Sequence, residues 1–237
     1  MELTRARNKE KVKILAKLAL NSLLASSKDL PLLFLSSGGS SLEILSGIDK
    51  ENLGPHLTIG MLDERFSQDP LVNNFLQLKS TAFHRNAKEA GASFIETVPS
   101  GEKLDEFAKS FENSLLSWIQ SKGPGGKVFI TQGIGADGHT AGIMPYPENP
   151  MFFKKTFEDE SLWVVGYSAK GKSKYPLRIT VTMPFLKKVV DATIVYLIGT
   201  EKKEALERVL SPQGTLFETP ARIIREMKQV KVFTNIY

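Results

Sequence analysis

Apolar and polar positions along this chain follow two rhythms, one of helices and one of buried strands. From roughly Thr4 to Ser26, Val12, Leu15, Ala19 and Leu23 recur at helical spacing among lysines, which predicts a first amphipathic helix. Leu32 to Leu35 is a short unbroken apolar run, as expected of a strand covered on both faces. Leu57 to Leu62, Val128 to Ile130, Leu162 to Val165, Ala192 to Gly199 and Val230 to Phe233 read as further strands, and Arg178 to Pro184 alternates like one. Between them, Lys103 to Lys122 sets Leu104, Phe107, Phe111, Leu115, Trp118 and Ile119 on one stripe, a core-facing helix to which no function is assigned. Ser40 followed three residues later by Glu43 has capping-box spacing and predicts a helix start. Strands alternating with helices, without internal repeats, predict an α/β fold with a mainly parallel sheet. With 237 residues, 41% of them hydrophobic, and no Pro/Gly/Ser-rich linker, one domain over residues 1–237 is expected.

Candidate chemistry sits where these strands break off, because open parallel sheets bind ligands outside the carboxyl ends of their strands. Val128 to Ile130 runs into Gly133-Ile134-Gly135-Ala136-Asp137-Gly138-His139-Thr140-Ala141-Gly142-Ile143-Met144-Pro145, which reads as strand, tight turn and helix start. Of the three histidines, His139 alone has a carboxylate two residues away and glycines on both sides. The plainer alternative is that Asp137 turns the loop and His139 bonds the backbone at a helix start. After Leu35, Ser37-Gly38-Gly39-Ser40-Ser41 is either a plain turn or a cradle of backbone N–H groups which, with the helix dipole, attracts phosphate. The strand ending at Leu62 runs into Asp63-Glu64-Arg65, ordinary loop charges unless the sheet directs a ligand there. His56, in a turn after Pro55, and His84, just beyond a predicted helix, have no ligand pattern beside them. With no cysteine and no histidine cluster, neither disulfides nor a metal site is expected.

A net charge of +5 and a pI near 9.2 raise the possibility of a nucleic-acid partner. The lysines, however, are scattered beside acids, as in Glu201-Lys202-Lys203-Glu204, and no aromatic-interleaved basic motif occurs. The densest run, Arg5 to Lys17, falls on the first predicted helix and reads as a solvated face. No signal-peptide core and no run of membrane-spanning length is present, so a cytoplasmic protein without membrane or nucleic-acid partners is expected.

Together these strings resemble the 6-phosphogluconolactonases, sugar-phosphate enzymes related to the glucosamine-6-phosphate deaminases. Gly133 to Pro145 is similar to G-x-G-x-D-G-H-T-A-S-L-F-P, departing at Gly142 and Met144. Ser37 to Leu42 resembles S-G-G-S-T-P, with Leu42 in place of proline. Asp63-Glu64-Arg65 looks like the D-E-R of the lactonases, where deaminases typically carry D-E-Y. Asn73-Asn74-Phe75 is similar to S-N-[YF], Arg178 to Thr182 to R-I-T-L-T, Gly199 to Lys202 to G-x-x-K, and Thr219 to Arg222 to a P-A-x turn before a helix. The resemblance runs from about residue 10 to residue 235.

It implies a Rossmann-like fold of the sugar-phosphate isomerase type and hydrolysis of 6-phosphogluconolactone without a cofactor, His139 being the general base on water. On that reading Asp137 either orients His139 or contacts sugar hydroxyls, and either Arg65 or glycine-loop N–H groups face the oxyanion. Ser37, Gly38, Gly39, Ser40, Ser41, Asp63, Glu64, Asn74 and Gly135 hold the substrate, and Arg178 and Lys202 grip its phosphate. The implied partner is a small phosphorylated sugar lactone, bound by a monomeric chain. The competing readings are a glucosamine-6-phosphate deaminase or isomerase and a non-catalytic sugar-phosphate sensor. Beside the family, the chain is also expected to lack most of the strand ahead of the first helix and a short helix after the last strand.

Overall fold

The computed structural model describes residues 1–237. In chain order its elements are β1 (Glu2–Arg5), α1 (Lys9–Ala25), β2 (Leu32–Ser36), α2 (Ser41–Leu45), β3 (Leu57–Met61), β4 (Asp63–Arg65), α3 (Asn74–Lys79), α4 (Ala82–Glu89) and β5 (Ser93–Phe94). There follow α5 (Leu104–Ser121), β6 (Lys127–Gln132), α6 (Pro150–Phe157), β7 (Val164–Ser168), β8 (Leu177–Val181), α7 (Met183–Lys188), β9 (Ala192–Leu197), α8 (Lys203–Leu210) and β10 (Gln229–Thr234).

Seven strands form one sheet in the order β1-β10-β9-β6-β2-β3-β5, every pairing parallel. The mainly parallel α/β architecture is therefore as expected. The side-chain period of two explains why the apolar runs are unbroken: Leu33 and Leu35 of β2 feed a 38-residue core on one face, while Leu32 and Phe34 feed a 23-residue core on the other. Chain order places β3 and β5 on one side of β2, and β6, β9, β10 and β1 on the other. The strand order thus reverses between β2 and β6, which puts the ligand crevice outside the ends of those two strands. No helix is long and apolar enough to cross a membrane.

Several local expectations change. Thr4 lies in β1, and the first helix begins only at Lys9, where the Asn8 side chain accepts the Glu10 amide at 2.7 Å. The strand expected to be mostly missing is present: Glu2 to Arg5 pairs with Lys231 to Thr234 of β10. On α1 the buried stripe is Val12, Ala16, Leu20 and Leu24, one position round from the expected one, because Leu15, Ala19 and Leu23 only border the core. α2 starts after Ser40 as predicted, but no capping box forms; Glu43 turns to Lys9 and Lys13 of α1, at 3.4 and 3.8 Å. His84 lies inside α4, stacked 4.3 Å from the Phe94 ring, and not beyond a helix.

Two further differences bear on the site. No helix starts within Gly133 to Pro145. Gly138 (φ +94°), Ala141 (φ +50°) and Gly142 (φ +69°) are left-handed, and Thr140 pairs with Ile143, so the segment is a folded loop and the next helix is α6. Asp63-Glu64-Arg65 is likewise a strand. As β4 it joins an antiparallel sheet, β4-β8-β7, which the sequence pattern did not predict.

Candidate active site

The loops after β2 and β6 meet at the strand-order reversal and form, with β4, β8 and the turn before α8, a cleft of about 450 Å³. Ser37, Gly38, Gly39, Ser40, Asp63, Arg65, Asn74, Gly135, His139, Arg178 and Lys202 all line it. The register explains part of this convergence. Arg65 is the cross-strand partner of Arg178, so both side chains leave the same face of the small sheet. Like charges directly opposite destabilise a sheet, which makes the pair costly unless it meets an anion.

Arg178 is buried and held rigidly: Nε donates to Tyr175 O at 3.0 Å and Nη2 to Ser173 Oγ at 2.8 Å, while Nη1 lies 3.7 Å from Asp63 Oδ2. Arg65 spends Nη1 on Val72 O at 3.0 Å, and its buried Nε has no acceptor in the chain. Ser37 Oγ and Asn74 Oδ1 are buried without partners at the same cleft. Buried polar atoms without partners cost free energy, so a cleft lined with three of them, a donor at Arg65 Nε, an acceptor at Asn74 Oδ1 and the Ser37 hydroxyl, is built to form hydrogen bonds with a group from outside the chain.

Two of the expected substrate contacts lie away from the cleft wall. Glu64 alternates with Asp63 and Arg65 on β4, which turns its fully buried carboxylate inward. There it accepts the amides of Arg65 (2.8 Å), Asn74 (2.5 Å) and Phe75 (2.8 Å) and the Thr97 hydroxyl (3.0 Å). Burial is the largest influence on this carboxyl and raises it to about 8, although the three amides pull the other way. Ser41 is buried on α2 with its hydroxyl unpartnered, behind the cleft rim. With only five residues, α2 contributes little macrodipole, so the cradle consists of the Gly38-Gly39 backbone itself. A Cβ at Gly38 would lie 2.1 Å from Asn74 Oδ1, so any other residue there would displace the Asn74 side chain from the cleft.

The loop after β6 presents the histidine. His139 Nδ1 lies 2.6 Å from Asp137 Oδ1, which also accepts the His139 amide at 3.0 Å. Burial alone would raise the Asp137 carboxyl, but the hydrogen bonds and charge of His139 outweigh it and hold it below its usual value. A carboxylate only accepts, so Nδ1 carries the proton and a neutral ring keeps its Nε2 lone pair for the cleft. Asp137 itself does not line the cleft. A Cβ at Gly135 would stand 2.1 Å from His139 Nδ1, so glycine there is what lets the ring lie down on its own loop.

The loop is pinned throughout. Thr140 Oγ1 donates to Gly133 O at 2.7 Å, the Ala221 amide to Gly138 O at 3.0 Å, the Tyr167 hydroxyl to Gly142 O and the Thr180 hydroxyl to Ala141 O. Arg208 of α8 reaches Ala136 O at 3.3 Å. Sequence reasoning missed these supports, together with Ser173, Tyr175 and Thr97. They carry no local sequence signal: Thr180 and Tyr167 reach the loop from β8 and β7, whose pairing is visible only once the small sheet is known.

Residues 13–233 match the family model described as glucosamine-6-phosphate isomerases/6-phosphogluconolactonase. A 6-phosphogluconolactonase of Borreliella burgdorferi is 32% identical over 109 residues, a stretch covering 46% of this chain but only 42% of that relative's length. Among solved structures, the 6-phosphogluconolactonase of Leishmania guyanensis superposes with a TM-score of 0.77 at 20% identity, covering 98% of this chain and 95% of that one. A monomeric glucosamine-6-phosphate deaminase superposes at 0.70 with 16% identity over 99% and 97% of the two chains, and at such identities the likeness is one of fold. The family match spans nearly the whole chain, and with it this protein belongs to the glucosamine-6-phosphate isomerase/6-phosphogluconolactonase family.

Proposed function

We propose that this chain hydrolyses 6-phospho-D-glucono-1,5-lactone to 6-phosphogluconate, the lactone-opening step of the oxidative pentose phosphate pathway, with His139 as general base. The observation that carries the reading is the Asp137–His139 pair set across one cleft from Arg65, Arg178 and Lys202. Lactonase relatives and the Asp63-Glu64-Arg65 string support the lactone over the amino sugar as substrate.

In this mechanism a water gives its proton to His139 Nε2 as its oxygen bonds to the lactone carbonyl carbon. Asp137 accepts from Nδ1–H and stabilises the imidazolium that forms. Arg65 is better placed for the oxyanion than the histidine loop, because the amides of Gly135, Gly138 and His139 are already spent on His139 O, Gly135 O and Asp137, whereas Arg65 Nε is free. Collapse breaks the bond from the carbonyl carbon to the ring oxygen, and the imidazolium returns its proton to that oxygen. Asp63 and Asn74 face the sugar, and the Ser37 to Ser40 cradle with Arg178 and Lys202 takes the phosphate. Because residues from Ser37 to Lys202 build one cleft, we read the chain as one domain. Its scattered lysines favour a small phosphorylated lactone over nucleic acid as partner, and we take it to act as a monomer in the cytoplasm.

The deciding experiment is turnover of freshly made lactone, corrected for spontaneous opening, beside turnover of glucosamine 6-phosphate. Turnover of the amino sugar alone would transfer the chain to the deaminase reading, and binding without turnover of either would favour a sensor. For the phosphate, Lys202→Ala and Arg178→Ala are each expected to weaken 6-phosphogluconate binding by roughly 1.5–3 kcal/mol. The arginine variant should fall at the upper end, since it also leaves the buried Asp63 without its counter-charge. Calorimetric titration checks this, and normal affinity in both variants places the anion elsewhere.

A further inference from the structure

The cleft lining holds three cations, Arg65, Arg178 and Lys202, and two carboxylates, Asp63 and Glu201. Asp63 is buried 3.7 Å from Arg178 and serves as its counter-ion. Glu201 has no such duty. It is exposed at the mouth, next in sequence to Lys202, and it is folded back against the backbone: a Cβ on Gly199 would lie 2.2 and 2.3 Å from its two oxygens. Gly199, at φ +111°, provides both the turn and the room for that carboxylate.

Resting on the phosphate reading above, we infer that Glu201 restricts the anion site to a single phosphoryl group. A cleft with three cations would by itself favour diphosphates over monophosphates. Glu201 sets a carboxylate on the same cleft wall as Lys202, its neighbour in sequence, so a diphosphate held there brings its second phosphoryl group towards it. A single phosphoryl group held by Arg178, Lys202 and the Ser37 to Ser40 cradle brings less charge against that carboxylate. A diphosphate brings its extra charge against it. The consequence is selection by repulsion, which excludes pyrophosphate and nucleoside diphosphate groups while sparing sugar monophosphates.

The test is calorimetric titration of the full chain with inorganic phosphate and with pyrophosphate at one ionic strength, for wild type, Glu201→Gln and Glu204→Gln. Glu204 is exposed on α8 and lies outside the cleft, so its variant makes the same change in net charge away from the site. Glu201→Gln is expected to tighten pyrophosphate about tenfold and phosphate less than about threefold, the size of one like-charge contact across a wet cleft. Glu204→Gln should leave the ratio of the two affinities unchanged. An unchanged ratio in Glu201→Gln, or the same shift in Glu204→Gln, overturns the inference while leaving the phosphate site standing. A wild-type chain that binds neither anion overturns both.

Discussion

His139→Ala is expected to lower kcat by about a hundredfold to ten-thousandfold while leaving the affinity for 6-phosphogluconate nearly intact, the usual cost of losing one positioned acid–base group. The split between rate and binding follows from the site's layout. His139 lies on the loop after β6, whereas the groups proposed to hold the phosphate belong to the loop after β2, to β8 and to the turn before α8. The ring is held from one side only, by Asp137 at 2.6 Å, so truncation removes a base without removing a support of the loop. The loop's pins at Gly133, Gly138, Ala141 and Gly142 come from Thr140, Ala221, Thr180 and Tyr167 and remain in place. Single-turnover measurement on fresh lactone beside product titration reads the two quantities separately. A variant with near wild-type kcat would remove His139 from the mechanism, and one that loses binding in proportion would make it a substrate contact instead of a base.

The parallel sheet was legible because central strands are buried on both faces and so appear as unbroken apolar runs such as Leu32 to Leu35. The Gly133 to His139 and Ser37 to Ser40 loops were legible because they follow those runs directly. What the sequence hid depends on partners far along the chain. β4 is three residues, each an acid or a base, and becomes a strand only through β8, more than a hundred residues later. With no sign of that pairing, the alternation that sends Glu64 inward and Arg65 outward cannot be read. The helix start expected after Gly138 failed for a different reason. Glycines at 138 and 142 permit left-handed backbone without demanding it, and Ala141 at φ +50° is held there by the Thr180 hydroxyl on its carbonyl, which leaves no local trace. Ser40 and Glu43 show the same limit. The capping spacing is real, but two lysines of α1 offer Glu43 an ion pair that the local sequence cannot reveal.

Glu64→Ala is expected to destabilise the fold by about 3–5 kcal/mol, because it leaves several buried donors without an acceptor, although Glu64 does not line the cleft. The substitution strands the amides of Arg65, Asn74 and Phe75 and the Thr97 hydroxyl in a fully buried position, and these are the bonds that tie β4 to the head of α3. Glu64→Gln keeps the volume and one acceptor oxygen but turns an NH2 group towards two donors, so it should cost less than the alanine. Their pH behaviour separates the two contributions. The carboxyl, near 4.5 in the unfolded chain, is raised to about 8 in the fold, so the folded state keeps a proton that the unfolded state has released. Stability from this group is therefore complete below about pH 4.5, falls as pH rises towards 8, and is flat above that. Denaturant melts of wild type should decline across that window, and Glu64→Gln, with nothing to titrate there, should decline less. If the alanine variant melts with wild type, or the glutamine variant keeps the full decline, Glu64 does not hold β4 to α3 in the way its four hydrogen bonds require.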